Sequence, residues 1–202
     1  MKKSILLIAM ILLGTSAHAQ WWKRIKGNGN SITQTRQTAN YDKVSVAGSF
    51  DVQLVRGEEG EITLKGEENL LEHIEVYVKN NVLILKVKDN INLSSSWNKT
   101  IAIEVPVIEI TGVKLSGSGD ISTQTTLKAA DFNATVSGSG DVNAYGVVAQ
   151  DATVNVSGSA DVTLTVKGTL NAKVSGSGDI QYKGNPKKVA SKVSGSGDVT
   201  GY

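Results

Sequence analysis

The residues of this sequence that are best suited to chemistry are aspartates that recur within a short motif. "SGSGD" occurs four times, ending at Asp120, Asp141, Asp179 and Asp198, and "SGSAD" occurs once, ending at Asp161. Carboxylates stacked at strand spacing could bind calcium, or two of them could catalyse the cleavage of a glycosidic bond. A third interpretation is structural, because Asp and Ser side chains accept hydrogen bonds from backbone N–H groups.

The motif fits the structural interpretation better than the other two. The calcium-binding nonapeptide GGxGxDxUx has a residue between its last glycine and its aspartate, whereas here the two are adjacent. An acid/base pair needs two different environments to separate its pKa values, and near-identical repeats offer only one. Residues 113–202 also contain no His, Arg, Glu or Trp. We therefore expect no enzyme, no cofactor and no metal site, with a calcium-stabilised β-roll and a polysaccharide-acting β-helix enzyme as the weaker alternatives.

The spacing of the motif predicts the fold that must position these side chains. The five copies start at residues 116, 137, 157, 175 and 194, and short alternating apolar segments surround them. A period near twenty residues in a β-rich sequence is typical of a solenoid, and connections between parallel strands are right-handed by default. The sequence predicts an all-β, right-handed parallel β-helix with coils of about 18–21 residues, and an N-terminal half that is more irregular or partly antiparallel.

Superposing the repeats aligns aliphatic residues that we expect to form the core. Three rows result: Leu115, Val136, Val156, Val174 and Val193; Ile121, Val142, Val162, Ile180 and Val199; and Phe132, Ala152, Leu170 and Val189. Farther upstream, "NN" at Asn80–Asn81 lies between two alternating segments and predicts a tight hairpin.

Motif residues of the opposite parity should point outward and form a candidate binding face. We call it the Ser/Asp face, and it consists of Ser137, Ser139, Asp141, Ser157, Ser159, Asp161, Ser175, Ser177 and Asp179. A divergent sixth copy of the motif, "AGSFDV" at Ala47–Val52, also contains the first glycine. That glycine is expected to take a special backbone angle or a bend, at Gly48, Gly117, Gly138, Gly158, Gly176 and Gly195.

The N-terminal segment and the charge balance limit where the protein is located and which partners it binds. Residues 1–19 combine two lysines, a nine-residue apolar run and "AHA", which predicts a secretory signal peptide. Without Lys2 and Lys3 the chain has 19 basic and 19 acidic residues. Nucleic-acid binding is unexpected at that balance, and no other apolar run is long enough to span a membrane.

A change of composition near Gly112 suggests how the exported chain is organised. We expect a linker at 20–39, an N-terminal β region at 40–112 and the repeat region at 113–202. The segment "WWKR" at Trp21–Arg24 is a second candidate surface, or alternatively a cap on the first rung of the core.

Three segments of the sequence carry a resemblance to a known family. They are residues 41–87, from "YDKVSVAGSFDVQLV" to "NNVLILKV", then "TIAIEVPVIEITGVKLSGSGDI" at 100–121, and then the SGSGD repeats. In this order they resemble the GIN-domain family of secreted bacterial proteins, described as adhesin head domains of autotransporters. The resemblance implies a β-helix in an exported protein that is periplasmic, at the cell surface or secreted.

The function expected from the sequence is an exported, non-enzymatic binding or adhesion module of the cell envelope. Its partner could be an envelope glycan or protein at the Ser/Asp face, and a purely structural envelope scaffold is the alternative. Open β edges invite pairing, so we also expect a homo-oligomer formed through the C-terminal edge.

Overall fold

The alternation of β-branched residues with small polar residues makes almost all of the chain extended. The computed structural model describes residues 22–202, so the predicted signal peptide at 1–19 and Trp21 lie outside the described residues. The described elements are β1 (Lys23–Lys26), β2 (Ser31–Gln37), β3 (Lys43–Gly48), β4 (Asp51–Arg56), β5 (Glu61–Glu67), α1 (Glu68–Leu71), β6 (Ile74–Lys79), β7 (Val82–Val87), β8 (Ile91–Ser94), β9 (Ala102–Val107), β10 (Gly112–Gly117), β11 (Ile121–Thr123), β12 (Leu127–Gly138), β13 (Val142–Gly158), β14 (Val162–Val166), β15 (Thr169–Gly176), β16 (Ile180–Lys183), β17 (Lys188–Gly195) and β18 (Val199–Gly201).

The all-β class is confirmed, but the right-handed parallel β-helix is wrong. Within the described chain, β1 and β8 form a two-stranded sheet and the other strands form one sheet of sixteen strands. This large sheet is mixed and nearly closes into a barrel. The antiparallel pairs β2–β5, β5–β9 and β6–β7 all lie in the N-terminal half, as expected.

Two long strands explain why the sheet is continuous where separate coil faces were expected. β12 has 12 residues and β13 has 17. The first part of β13 pairs with β11 and β14, and its second part pairs with β12 and β15. Because β13 takes part in both sets of pairs, with a register shift between Ala144 and Val148 where it passes from one to the other, the two sets belong to one sheet that curves around the core.

The predicted alignment of the repeats is confirmed by the strand register. Val136 pairs with Val156, Val156 with Val174 and Val174 with Val193, all in parallel. The other two apolar rows are also in register. Except at the last repeat, these side chains are buried, and each fully buried Val, Leu or Ile contributes roughly 1.5–3 kcal/mol.

The predicted hairpin at Asn80–Asn81 is also confirmed. β6 and β7 pair antiparallel from Lys79 with Val82 to Ile74 with Val87. Asn80 and Asn81 have φ angles of 52° and 60°, as the type I′ turn requires at both central positions. The hairpin covers the side of β3 opposite to β10.

Candidate binding face

The repeated motif forms a tight crossing point between successive repeats. The first glycine of the motif has a φ angle between 122° and 135° at Gly117, Gly138, Gly158, Gly176 and Gly195, whereas Gly48 of the divergent copy does not have a positive φ angle. Its carbonyl accepts a hydrogen bond from the next repeat, as from Ser139 N to Gly117 O at 3.0 Å and from Ser159 N to Gly138 O at 3.0 Å. The backbones approach so closely that a Cβ atom on Gly138 would lie 2.2 Å from Gly117 O.

The aspartates link successive repeats through their side chains. The N–H of Asp141 donates to Oδ1 of Asp120, that of Asp161 to Asp141, that of Asp179 to Asp161 and that of Asp198 to Asp179, each at 2.8 Å. The ladder begins with Asp120 N donating to Asp51 Oδ1 at 3.2 Å. We call this series the aspartate ladder.

The aspartates accept backbone hydrogen bonds, as the structural interpretation expects, but the donors are not the nearby N–H groups that it predicted. Each donor lies 18 to 21 residues farther along the chain, except for the first, which lies 69 residues away. A hydrogen bond also runs in the other direction, as from Ile121 N to Asp141 O at 2.9 Å. Among residues 22–202, no group of three or more His, Cys, Asp or Glu side chains is placed to hold a metal ion.

The structure places the predicted Ser/Asp face along one side of the sheet. Its serines are all exposed and stack in register, as Ser137 with Ser157 and Ser157 with Ser175. Their hydroxyls make no hydrogen bond to other described residues. Neighbouring rungs of a sheet lie about 4.8 Å apart. The face thus offers free hydroxyls at a regular spacing, next to carboxylates that each have one oxygen in the ladder.

A cavity lies at the N-terminal end of this face. It has a volume of about 630 Å³, and Ser49 and Ser116, which belong to the upstream repeats, line it. Apolar side chains of Trp22, Ile91 and Leu93 line it as well. Trp22 is 57 % exposed. Ser116 is in register with Ser137 of the Ser/Asp face, so this serine row reaches a cavity that an aromatic ring also lines. Sequence reasoning identified "WWKR" but had no means of placing it beside the serines.

A buried carboxylate that the sequence did not reveal holds the N-terminal segment against the sheet. Glu67 is 1 % exposed and accepts hydrogen bonds from Gly29 N at 2.6 Å, Ser96 N at 2.8 Å and Ser96 Oγ at 2.6 Å. The hydrogen bond from the Ser96 hydroxyl is the largest of several effects that lower the pKa of Glu67 below its ordinary 4.5. Glu67 is followed directly by a second glutamate, Glu68, in "GEENLL", and nothing in the sequence marks which of the two is buried.

The lowered pKa of Glu67 predicts an acid-dependent loss of stability. A carboxyl whose pKa is lower in the folded state stabilises the fold above its unfolded pKa, and this contribution disappears as the pH falls from about 4.5 through the folded pKa. In the Glu67→Gln variant we expect a shallower loss of stability over that pH range, measured by urea denaturation. The exposed Glu72→Gln is the control and should follow the wild type. Identical slopes for Glu67→Gln and the wild type would contradict the assignment.

A second group that sequence reasoning missed lies at the C-terminal end. Lys183 Nζ is 4.4 Å from the ring centroid of Tyr145 and 4.8 Å from that of Tyr202. The two rings meet edge to face with centroids 6.0 Å apart. Such cation–π contacts contribute about 0.5–1 kcal/mol at exposed sites, and they hold the end of the chain against β16.

Comparisons with known proteins agree with this architecture. A putative adhesin from Bacteroides fragilis has a structure with a TM-score of 0.59 and 19 % identity, over 88 % of this chain and 100 % of that one. A putative adhesin from Parabacteroides distasonis gives 0.50 and 17 %, over 89 % and 100 %. At these identities the likeness establishes a shared fold.

The sequence comparison adds a family to the shared fold. The family model described as "Putative auto-transporter adhesin, head GIN domain" matches residues 40–137 and 128–186. No curated protein matches the chain. Within residues 22–202, no helix has the length and apolar character to cross a membrane.

Proposed function

Since the chain belongs to the GIN-domain family of autotransporter adhesin heads, we propose that it is an exported adhesion module that binds an extended envelope glycan without chemical turnover. It acts in the periplasm, at the cell surface or in the medium. The glycan lies along the Ser/Asp face and ends in the cavity beside Trp22. Self-association involves a different surface, the C-terminal edge.

The observation that carries the proposal is that Trp22 lines one cavity together with Ser49 and Ser116, and Ser116 is in register with Ser137 of the Ser/Asp face. Aromatic rings have large apolar faces, which suit the C–H face of a sugar ring, and serine hydroxyls can both donate and accept hydrogen bonds. A ligand that repeats along its length suits a surface that repeats every 4.8 Å or so. These features favour a polysaccharide over a protein as the ligand.

The arrangement of the carboxylates supports binding without catalysis. In the aspartate ladder, the carboxylates of Asp120, Asp141, Asp161 and Asp179 each accept a hydrogen bond from the backbone N–H of the next ladder aspartate, at the same 2.8 Å. Acid/base catalysis by two carboxyls needs environments that separate their pKa values. A purely structural scaffold would also use the aspartate ladder, but it would not need an exposed tryptophan at the end of the serine rows.

Binding to a glycan array tests the proposal, using residues 20–202. Tryptophan is enriched among the interface residues whose truncation costs more than 1 kcal/mol, so we expect Trp22→Ala to weaken binding to the best glycan about tenfold. Trp97→Ala is the matched control, because Trp97 is 90 % exposed and does not line the cavity.

A second set of variants tests the serine rows themselves. The triple variant Ser139→Gln, Ser159→Gln and Ser177→Gln covers the face with longer side chains and leaves the aspartate ladder intact. We expect it to weaken binding about tenfold, whereas Thr135→Gln with Asn155→Gln, on exposed positions of the neighbouring row, should bind as the wild type does. Equal binding by Trp22→Ala and the wild type, or binding on a protein array alone, would overturn the glycan proposal.

A further inference from the structure

The C-terminal edge of the large sheet leaves its apolar rows uncovered. Among the described strands, β17 pairs only with β15 and β18 only with β16. Val174 and Leu170 are fully buried, but Val193 and Val189, the next residues in their rows, are 41 % and 39 % exposed. The edge therefore presents both unpaired backbone groups and the open end of the core.

Natural edge strands usually carry a feature that prevents pairing, such as a charge that points inward. In β17 the positions that continue the buried rows are Val189, Ser191 and Val193, and none of them is charged. Lys188 and Lys192 occupy the opposite, outward parity. The lysines therefore limit which strands can pair with β17, but they do not prevent pairing.

At the opposite end the large sheet has two described edge strands, β2 and β6, and a charged side chain of β2 reaches β6. In β2 the row that contains Ile32 and Gln34 continues with Arg36, opposite the buried Ile62. The guanidinium of Arg36 donates to the carbonyls of Ile74 and Leu71, the latter at 2.7 Å. The stack of strands that contains β17 ends at β6. Because the Arg36 guanidinium is bonded to Ile74, the first residue of β6, head-to-tail stacking of β17 on β6 would bring that charge close to the valines of β17.

We propose that two copies of the chain pair through β17, antiparallel, about a two-fold axis at Ser191. This register places Val189 of each copy opposite Val193 of the other, which joins the open ends of the two cores. Lys188 then faces Ser194 and Lys192 faces Ala190, so no two lysines lie directly opposite each other. An interface in which the same patch serves both partners closes as a dimer.

Disulfide trapping tests the register, because the chain contains no cysteine. Residues directly opposite each other in an antiparallel pair have Cβ atoms about 4.5–5.5 Å apart, close to disulfide geometry. Ser191→Cys should therefore yield mostly covalent dimer on mild oxidation. In Lys188→Cys the two cysteines would lie six residues apart along the pair, about 20 Å, so this control should stay uncrosslinked.

Sedimentation velocity tests the association itself. We expect the protein comprising residues 20–202 to form dimers, and Val193→Asp, at a partly exposed position, to raise the dissociation constant at least tenfold while keeping the wild-type circular dichroism spectrum. A protein that stays monomeric at high concentration would overturn the proposal. So would equal crosslinking of Ser191→Cys and Lys188→Cys, or a dimer in which Ser191→Cys does not crosslink. Glycan binding plays no part in these readouts, so they are independent of the proposed function.

Discussion

Replacing Gly138 by alanine is expected to lower the free energy of unfolding by about 3 kcal/mol or more. Gly138 has a φ angle of 131°, and holding a residue with a side chain in such a sparsely populated region costs of order 1–3 kcal/mol. The new Cβ atom would also lie 2.2 Å from Gly117 O. That oxygen accepts hydrogen bonds from Ser139 N and Gly140 N, so relieving the clash weakens the link between two repeats.

A second glycine separates the backbone strain from the steric clash. Gly29 also has a positive φ angle, 80°, but a Cβ atom there would meet nothing within 4 Å. Gly29→Ala should therefore lower the free energy of unfolding through backbone strain alone, by about 1–2 kcal/mol. Guanidinium denaturation of both variants gives the comparison. Equal losses for the two variants would show that the crossing point between repeats is less tightly packed than the structure indicates.

The register of the repeats was predictable because periodicity in sequence becomes position in space when each repeat adds one rung. The rows through Val156 and Val162 follow from superposing copies about twenty residues apart, and the structure places them as expected. The hairpin at Asn80–Asn81 was predictable for a local reason, since asparagine tolerates a positive φ angle at low cost.

The closure of the sheet was not predictable, because it depends on elements outside the repeats. β2 ("SITQTRQ") has little apolar alternation, yet it pairs antiparallel with β5 along its whole length. The path of β13 depends on Tyr145 and Gly146, which lie in the register shift between Ala144 and Val148 but remain part of the strand where a solenoid would turn. Neither feature leaves a periodic signal, so the sequence supported a parallel β-helix that the structure contradicts.

The candidate site was predictable in part, for a related reason. Strand parity alone places Ser139 and Asp141 on the outward side. It does not say that the Asp141 carboxylate would accept a hydrogen bond from Asp161 N, because that donor depends on how the repeats cross at the glycines. The cavity brings Trp22, which precedes β1, together with residues of β3, β7, β8 and β10. Glu67, at the end of β5, joins the loops at Gly29 and Ser96. Such contacts are set by tertiary structure alone.

The aspartate ladder makes a prediction that distinguishes a structural carboxylate from one used for binding. Asp141→Ala removes the acceptor of the Asp161 N–H, and hydrogen bonds to charged groups contribute about 1.5–3 kcal/mol. We expect a loss of about 2 kcal/mol in the free energy of unfolding for this variant. Asp141→Asn should lose less, because its amide oxygen can still accept the same bond.

The last aspartate supplies the matched control for the ladder. Asp198 donates its N–H to Asp179, but its own carboxylate accepts no backbone N–H from the described residues. Asp198→Ala should therefore change stability by less than about 0.5 kcal/mol. Urea denaturation of Asp141→Ala, Asp141→Asn and Asp198→Ala, compared at one pH, gives the ranking. If Asp141→Ala proved as stable as the wild type but lost glycan binding, the carboxylates would belong to the ligand site and not to the link between repeats.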